Sequence, residues 1–161
     1  MQTIGTTDGQ RADFRTLANR LMIRGEQTEG RFGLVEHEIA PRALGAPMHV
    51  HEHEDEYSFV LAGEVGVQVG DDVRVVRVGE LVVKPRGIWH AFWNAGDAPA
   101  RLLELISPGG FERYFEEMSP HLSGEGPPDL EQVAAIQARY GLQMDRDSIG
   151  SLSAQHGLRG P

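Results

Sequence analysis

Short segments in which apolar and polar residues alternate recur along the chain, and they limit its fold more than any other feature. Such alternation places every second side chain on the same face of a β-strand. The alternating positions are Leu21 and Ile23; Phe32 and Leu34; Val65, Val67 and Val69; and Val73 and Val75, opposed to Val76 and Val78. Glycine, proline and aspartate residues separate these segments at short intervals and mark turns. Many short strands joined by tight turns predict an all-β sandwich or barrel.

A helical periodicity replaces this alternation near Ser107. The residues that follow the spacing of one helix face are Phe111, Tyr114, Phe115 and Met118. A second helix is predicted after an N-cap at Asp129, and Gly141 is expected to end it. Because a helix of this length is unstable alone, we expect it to dock on the barrel or on a neighbouring subunit.

The length of the chain sets the expected organisation. With 161 residues and a mass of 17.7 kDa, the chain can enclose one sizeable core. We therefore expect a single domain over residues 1–161, with a barrel over 30–110 and a helical extension over 111–145. Residues 1–16 are expected to form a loose leader, and residues 146–161 a flexible tail.

Composition excludes several classes of function. The chain contains no cysteine, which rules out disulfides, thiolate metal sites and a cysteine nucleophile. Its formal charge of -9 disfavours binding to the phosphate backbone of nucleic acids. The chain has no run of 18 apolar residues, and its N-terminus lacks the apolar region of a signal peptide. We expect a cytoplasmic protein with no membrane partner.

Two stretches of the chain contain four of the seven histidines, namely His49, His51, His53 and His90, and can together form a metal site. His49 and His51 are two residues apart, so in a strand both imidazoles point to the same face. Glu56 begins the next apolar segment, and His90 follows the turn made by residues 85–87. Imidazole nitrogens with a carboxylate oxygen suit Fe(II), Mn(II), Ni(II), Zn(II) or Cu(II), whereas Ca²⁺ and Mg²⁺ prefer all-oxygen sites.

Two motifs in this part of the chain resemble those of the cupin family. The first has the form His-x-His, four residues, Glu, six residues, Gly, and comprises His49, His51, Glu56 and Gly63. The second comprises Gly79, Pro85, Gly87, His90 and Asn94. One position departs from the family pattern, because Ala43 stands where a glycine is usual and the nearest glycine is Gly45. This difference concerns a turn and none of the metal ligands.

The resemblance implies an all-β cupin jelly-roll barrel of two antiparallel sheets that holds one divalent transition metal. The implied ligands are His49, His51, Glu56 and His90. Three imidazoles and one carboxylate leave one or two coordination positions open, which is typical of a catalytic site. The C-terminal helices resemble the extension found in small single-domain cupins related to quercetin dioxygenases.

The leading functional hypothesis is a quercetinase-like dioxygenase for a small-molecule substrate. Glu56 would take the proton from an enol or phenol, and O2 would attack the activated carbon; a purely ligating role for Glu56 is the alternative. The same ligands permit a non-oxidative reaction by a polyketide cyclase, isomerase or decarboxylase, because a cupin fold does not fix the chemistry. A non-catalytic module that binds a small molecule or a metal is the third hypothesis. We also expect a homodimer formed through edge strands or terminal extensions.

The remaining polar and aromatic residues near the motifs give weaker expectations. His53 lies in an acidic turn and is expected at the surface or in a supporting role. Ile88 and Phe92 would share a strand face with His90 and are candidate walls of a cavity. Three histidines without partners in the sequence are expected to be solvated: His37, His121 and His156. Two cations in the turn are also expected to be solvated, with attraction of an anionic substrate as the alternative: Lys84 and Arg86.

Overall fold

The computed structural model describes residues 3–124 and 126–159, in which eleven strands form two antiparallel sheets. The first sheet contains, in spatial order, β1 (Gln10–Arg11), β2 (Leu17–Ile23), β3 (Gly33–Ile39), β10 (Ala100–Ser107), β5 (Asp55–Ala62) and β8 (Leu81–Lys84). The second contains β11 (Leu142–Met144), β4 (Leu44–His51), β9 (His90–Asn94), β6 (Glu64–Val69) and β7 (Asp72–Arg77). The predicted all-β jelly-roll architecture is confirmed.

Apolar side chains from both sheets fill the interior of the barrel. Val60 and Leu102 point inward from the first sheet and pack with Val65, Val67 and Phe92 of the second. Along β5 and β10 buried and less buried positions alternate, as the pleat of a strand with one inward face requires. The inward face of these two strands also carries polar residues, and this face contributes to the site described below.

Helix α1 (Glu112–Leu122) and helix α2 (Leu130–Arg139) confirm the two helical periodicities. The predicted aromatic stripe of α1 is buried, and Val133 and Ile136 of α2 join it in a core that includes Val35 and Ile106 of the first sheet. The Asp129 carboxylate caps α2 by accepting from two backbone N–H groups. The second helix was expected to dock either on the barrel or on a neighbouring subunit. In the structure it packs on the barrel of the same chain.

The N-terminal and C-terminal segments are more ordered than their composition suggests. Strand β2 belongs to the first sheet, although it lies before residue 30, where the barrel was expected to begin. A 3-10 helix (Gly25–Thr28) follows this strand. In the expected loose leader, β1 pairs with β2 and Ala12 is buried. Apolar contacts with the barrel therefore fix a segment whose sequence is mostly polar.

The expected flexible tail over residues 146–161 contains helix α3 (Ser148–His156) instead. Leu152 is buried with Leu44 and Trp93 of the second sheet, and the His156 ring stacks on Trp93 at 4.1 Å. These contacts supply the burial that a short serine-containing helix needs. Residues 160 and 161 of the expected tail lie outside the described residues.

None of the helices in the described ranges combines the length and hydropathy that are needed to cross a bilayer.

Candidate metal centre

Three strands bring the four predicted ligands together inside the barrel. β4 carries His49 and His51, and the register of its antiparallel pairing with β9 places His90 directly opposite His49. Glu56 reaches the same point from β5 of the other sheet. One ligand atom from each residue lies within 4.8 Å of the others, and all four side chains are buried. Residues separated by up to 41 positions in the chain thus form one compact donor set.

Hydrogen bonds to the backbone fix the orientation of two imidazoles. His49 Nδ1–H donates to the Pro47 carbonyl at 2.8 Å, and His90 Nδ1–H donates to the Ile88 carbonyl at 2.9 Å. In a neutral imidazole this leaves the lone pair on Nε2, where a metal can bind. Burial, followed by the His90 and His51 imidazoles, holds the pKa of His49 well below its ordinary value, and burial also lowers the pKa of His90. Both rings are therefore neutral at pH 7.

Buried polar atoms without partners show that the donor set fits a metal. His51 Nε2 and His90 Nε2 have no hydrogen-bond partner among the described residues, although both are shielded from solvent. Leaving one such atom unpaired costs about 1–3 kcal/mol. Glu56 Oε1 lies 3.4 Å from His51 Nε2, and Glu56 Oε2 lies 3.3 Å from His90 Nε2. A divalent ion bound by these nitrogen and oxygen atoms would remove the cost of leaving them unpaired.

Glu54 is a further carboxylate beside the donor set. It is buried, and its Oε2 lies 3.5 Å from His51 Nδ1, on the side of the ring opposite the candidate metal position. A carboxylate in this place commonly orients a metal-binding imidazole. In the sequence, Glu54 could not be distinguished from its acidic neighbours Glu52 and Asp55 in the turn.

Lys84 is part of the site and is not the solvated cation that its place near a turn suggested. It lies at the inward end of β8, where strand pairing sets it opposite Glu56, and it is only 1% exposed. Its Nζ lies 2.8 Å from Glu56 Oε2 and donates to Glu104 Oε2 at 2.9 Å. Ser58 Oγ also donates to Glu104 Oε2, at 2.8 Å. One ammonium therefore bridges a candidate metal ligand and a second buried carboxylate.

These contacts determine the charge of each group. Burial alone would lower the pKa of Lys84, but the Glu104 and Glu56 carboxylates outweigh it and raise the pKa above its ordinary value. Burial alone would raise the pKa of Glu56, but Lys84, with His51 and His90, holds it well below its usual range. Lys84 is therefore cationic and Glu56 anionic at pH 7.

A cavity of about 290 Å³ adjoins the candidate ligands. Its lining includes His49, His51 and Glu56, together with residues of α1 and α2, so it lies between the barrel and the helical extension. The aromatic residues of its wall are Phe14, Phe92, Phe111, Tyr114 and Phe115. A mostly apolar enclosure with a few polar groups at one place is typical of a small-molecule site.

Comparison with known proteins gives a family for this part of the chain. The family model described as Cupin domain matches residues 35–106, a range that contains all four candidate ligands. Residues 35–106 are a cupin domain. This assignment agrees with the two motifs and with the two antiparallel sheets.

Several known proteins are similar to this cupin-containing chain. The polyketide cyclase RemF from Streptomyces resistomycificus is 28% identical, with a TM-score of 0.56, over 66% of this chain and 79% of RemF. The tetracenomycin polyketide synthase protein TcmJ of Streptomyces glaucescens is 37% identical over 82 residues, 50% of this chain and 52% of TcmJ. Protein SchB of Streptomyces halstedii is 33% identical over 60 residues, 37% of this chain and 44% of SchB. The chain thus spans about half the length of these two curated relatives.

Other residues of the cupin motifs shape turns. Gly63, between β5 and β6, has φ of +75°, and Gly87, before β9, has φ of +74°, which residues with a Cβ rarely adopt. Asn94 is fully buried, and its side chain donates to the Ile39 and Ala98 carbonyls and accepts from Gly96 N–H. These turns fix where the strands that carry Glu56 and His90 begin and end.

Two expectations about the cavity wall have opposite outcomes. Phe92 lines the cavity as predicted. Ile88 is 42% exposed, and its assignment to the wall was wrong because β9 begins only at His90, so the alternation does not extend back to it. Arg86 is exposed as predicted and pairs with Asp55 at 2.7 Å.

The histidines outside the donor set are in varied environments. His53 is exposed, consistent with the surface position expected for it, and His121 is half-buried. The prediction that His37 is solvated was wrong: it is 2% exposed, lines the cavity, and its Nδ1–H donates to Asn19 Oδ1 at 2.6 Å. Burial, with the nearby Lys84, lowers the pKa of His37 to about 3, so it is a neutral polar group in the cavity wall.

Proposed function

We propose that this chain is a metal-dependent enzyme that acts on a largely apolar small molecule bearing an enol or a phenol, and that its reaction is a non-oxidative cyclisation or dehydration. The observation that carries the proposal is the cavity, because it joins the donor set to an aromatic wall. The likeness to the polyketide cyclase RemF supports the reaction class. The redox-neutral reaction is one of the alternatives that the sequence left open.

The residues of this chain have separate tasks in such a reaction. His49, His51, Glu56 and His90 would hold the ion, which would polarise an enol or phenol oxygen and favour its ionised form. Aromatic rings such as Phe92 and Phe115 offer flat faces to a planar substrate. Helices α1 and α2 contribute apolar residues to the cavity wall, which limits the water around the reacting groups when a substrate fills the cavity.

The ion pair with Lys84 bears on the role first expected for Glu56. A carboxylate that is held anionic by an adjacent ammonium, and that also binds a metal, is a weak base. Glu56 is therefore better suited to ligation than to removal of the substrate proton. A purely ligating role for Glu56 is therefore favoured, and another group takes the substrate proton.

An o-hydroxyphenyl β-diketone tests the proposal, because its ring closure to a chromone releases water and consumes no oxygen. The zinc-loaded chain should accelerate this ring closure equally in air and in anaerobic buffer. The variant His49→Ala/His51→Ala, which lacks two donors, should give the rate of buffer alone. Equal rates for the wild type and this variant would contradict the proposal.

The mass of the product separates the alternatives. A product that gains two oxygen atoms, and forms only in air, would replace the proposal by the dioxygenase. Metal-dependent binding of the diketone without any conversion would replace it by the non-catalytic binding module.

A further inference from the structure

Glu104 is a buried carboxylate with one oxygen still free to bind a partner. It occupies an inward position of β10 and is only 1% exposed. Lys84 and Ser58 both donate to its Oε2, whereas its Oε1 has no hydrogen-bond partner among the described residues. The side chain nevertheless lines the cavity. A buried, unpaired carboxylate oxygen is costly, so its presence in a cavity wall points to a ligand that donates a hydrogen bond to it.

The position of Glu104 relates this oxygen to the candidate metal centre. Lys84 Nζ contacts Glu104 Oε2 at 2.9 Å and Glu56 Oε2 at 2.8 Å, so the two carboxylates lie within two hydrogen-bond lengths of each other. Both carboxylates line the same cavity. A small molecule with one oxygen at the metal centre can therefore present a neighbouring group to Glu104.

The charged groups that act on Glu104 are Lys84 on β8 and Glu56 on β5. Other titratable groups line the same cavity or belong to the donor set: His37 on β3, His49 and His51 on β4, and His90 on β9. Burial raises the pKa of Glu104 to about 7, because the opposing effect of Lys84 is partly offset by the Glu56 carboxylate. A group with a pKa near the working pH can both take up and return a proton efficiently.

We propose that Glu104 is the catalytic residue that exchanges a proton with the substrate. A substrate O–H bond, or an activated C–H bond beside an ionisable oxygen of the substrate, would break, and a bond would form between that proton and Glu104 Oε1, while the electron pair stays on the substrate. The same proton returns to an oxygen of the product, so no oxidant or reductant is needed. The inference rests on the proposed function and narrows its substrate class to molecules with two neighbouring oxygen functions, such as catechols and β-diketones.

The variant Glu104→Gln isolates this role. The amide oxygen of glutamine can still accept from Lys84 and Ser58, while an NH2 group replaces the unpaired Oε1. Glu36→Gln is the matched control, because Glu36 is also buried in the first sheet, where it pairs with Arg20 and Arg101 outside the cavity. Zinc content and circular dichroism establish that both variants are loaded and folded.

Nitrocatechol serves as the probe, because it has two adjacent hydroxyl groups and changes colour on ionisation. Infrared difference spectra of the zinc-loaded wild type at about pH 8 should show a new carboxylic-acid C=O band when the probe binds and ionises. The band should persist in E36Q and be absent from E104Q. E104Q should also bind the probe about tenfold more weakly at unchanged zinc content.

Each result decides the inference. A probe that binds the zinc-loaded wild type without producing the band, or with equal affinity in wild type and E104Q, overturns the assignment to Glu104 and leaves the proposed function standing. No binding to the zinc-loaded wild type overturns the proposed function, and the role of Glu104 falls with it. If E104Q does not fold, Ser58→Ala replaces it: the band should shift because one donor to Glu104 is lost, and an unmoved band overturns the assignment.

Discussion

Among single residues, Lys84 determines the charge of the candidate site. Its ammonium lies between the Glu56 and Glu104 carboxylates, and all three side chains are at most 5% exposed. Burying a charge is expensive unless it is paired, so each member of this group depends on the others. The arrangement keeps Glu56 available as an anionic ligand and orients Glu104 towards the cavity.

Replacing Lys84 by methionine should destabilise the metal-free protein by about 3–5 kcal/mol, because two buried carboxylates lose their counter-charge. Urea unfolding in the presence of a chelator measures the difference. The control is Arg86→Met, whose partly exposed pair with Asp55 should contribute no more than about 1 kcal/mol. A free energy of unfolding that is the same for both variants would argue against a structural role for Lys84.

The donor set gives a second prediction at this scale. Changing both His49 and His51 to alanine should abolish stoichiometric metal binding, because two of the four donors disappear. Elemental analysis of the purified variant provides the measurement. His53→Ala removes an exposed imidazole outside the donor set and should bind as much metal as the wild type. Undiminished metal in the double variant would refute the assignment of these ligands.

At the scale of elements, strand register and helix docking decide which residues meet. β5 lies between β10 and β8, and this register sets Ser58 opposite Glu104 and Glu56 opposite Lys84. Helices α1 and α2 then pack on the first sheet and complete the cavity wall. Helix α3 covers β4 and β9, the two strands that carry the three histidine ligands.

The docking of α3 can be tested through Leu152. Leu152→Ala should lower the free energy of unfolding by about 2–5 kcal/mol, because it leaves a cavity against Leu44 and Trp93. Val78→Ala is the control, since Val78 is 61% exposed and loses little burial. Thermal or urea unfolding compares the two. Equal, small losses would mean that α3 adds little to the stability of the second sheet.

For the whole molecule, the structure changes which surface is expected to contact a second subunit. The apolar stripe of α2 was one candidate surface for a partner, but Val133 and Ile136 are buried in the core of the same chain. Large apolar side chains remain exposed at the edge of the first sheet instead, including Phe59, Leu81 and Val83 on the paired strands β5 and β8. An apolar face on an edge strand is typical of an association surface.

We still expect a homodimer, and this face is its expected contact. Multi-angle light scattering at micromolar concentration should give twice the chain mass for the wild type. Leu81→Glu/Val83→Glu should shift the mass towards that of one chain, because it places charges in the contact. A mass of 17.7 kDa for the wild type would contradict the prediction.

The sequence by itself determined the all-β architecture, the helical extension and the four candidate ligands. These features depend on short-range patterns: alternation along a strand, helix spacing, and the fixed intervals within the two motifs. His49 and His51 point the same way because they are two residues apart on one strand, and His90 and Glu56 follow from the resemblance to known motifs.

Only the tertiary structure decided the neighbours of those ligands. Lys84 and Glu104 are 20 residues apart in the chain, and they meet because β8, β5 and β10 pair in one register. His37 is buried against Phe92 and Phe115, which belong to other elements, and α3 is stabilised by contacts with the second sheet. These contacts cannot be predicted from a local sequence pattern. A polar residue at an inward position cannot be distinguished in the sequence from one that faces water until the opposite strand is known.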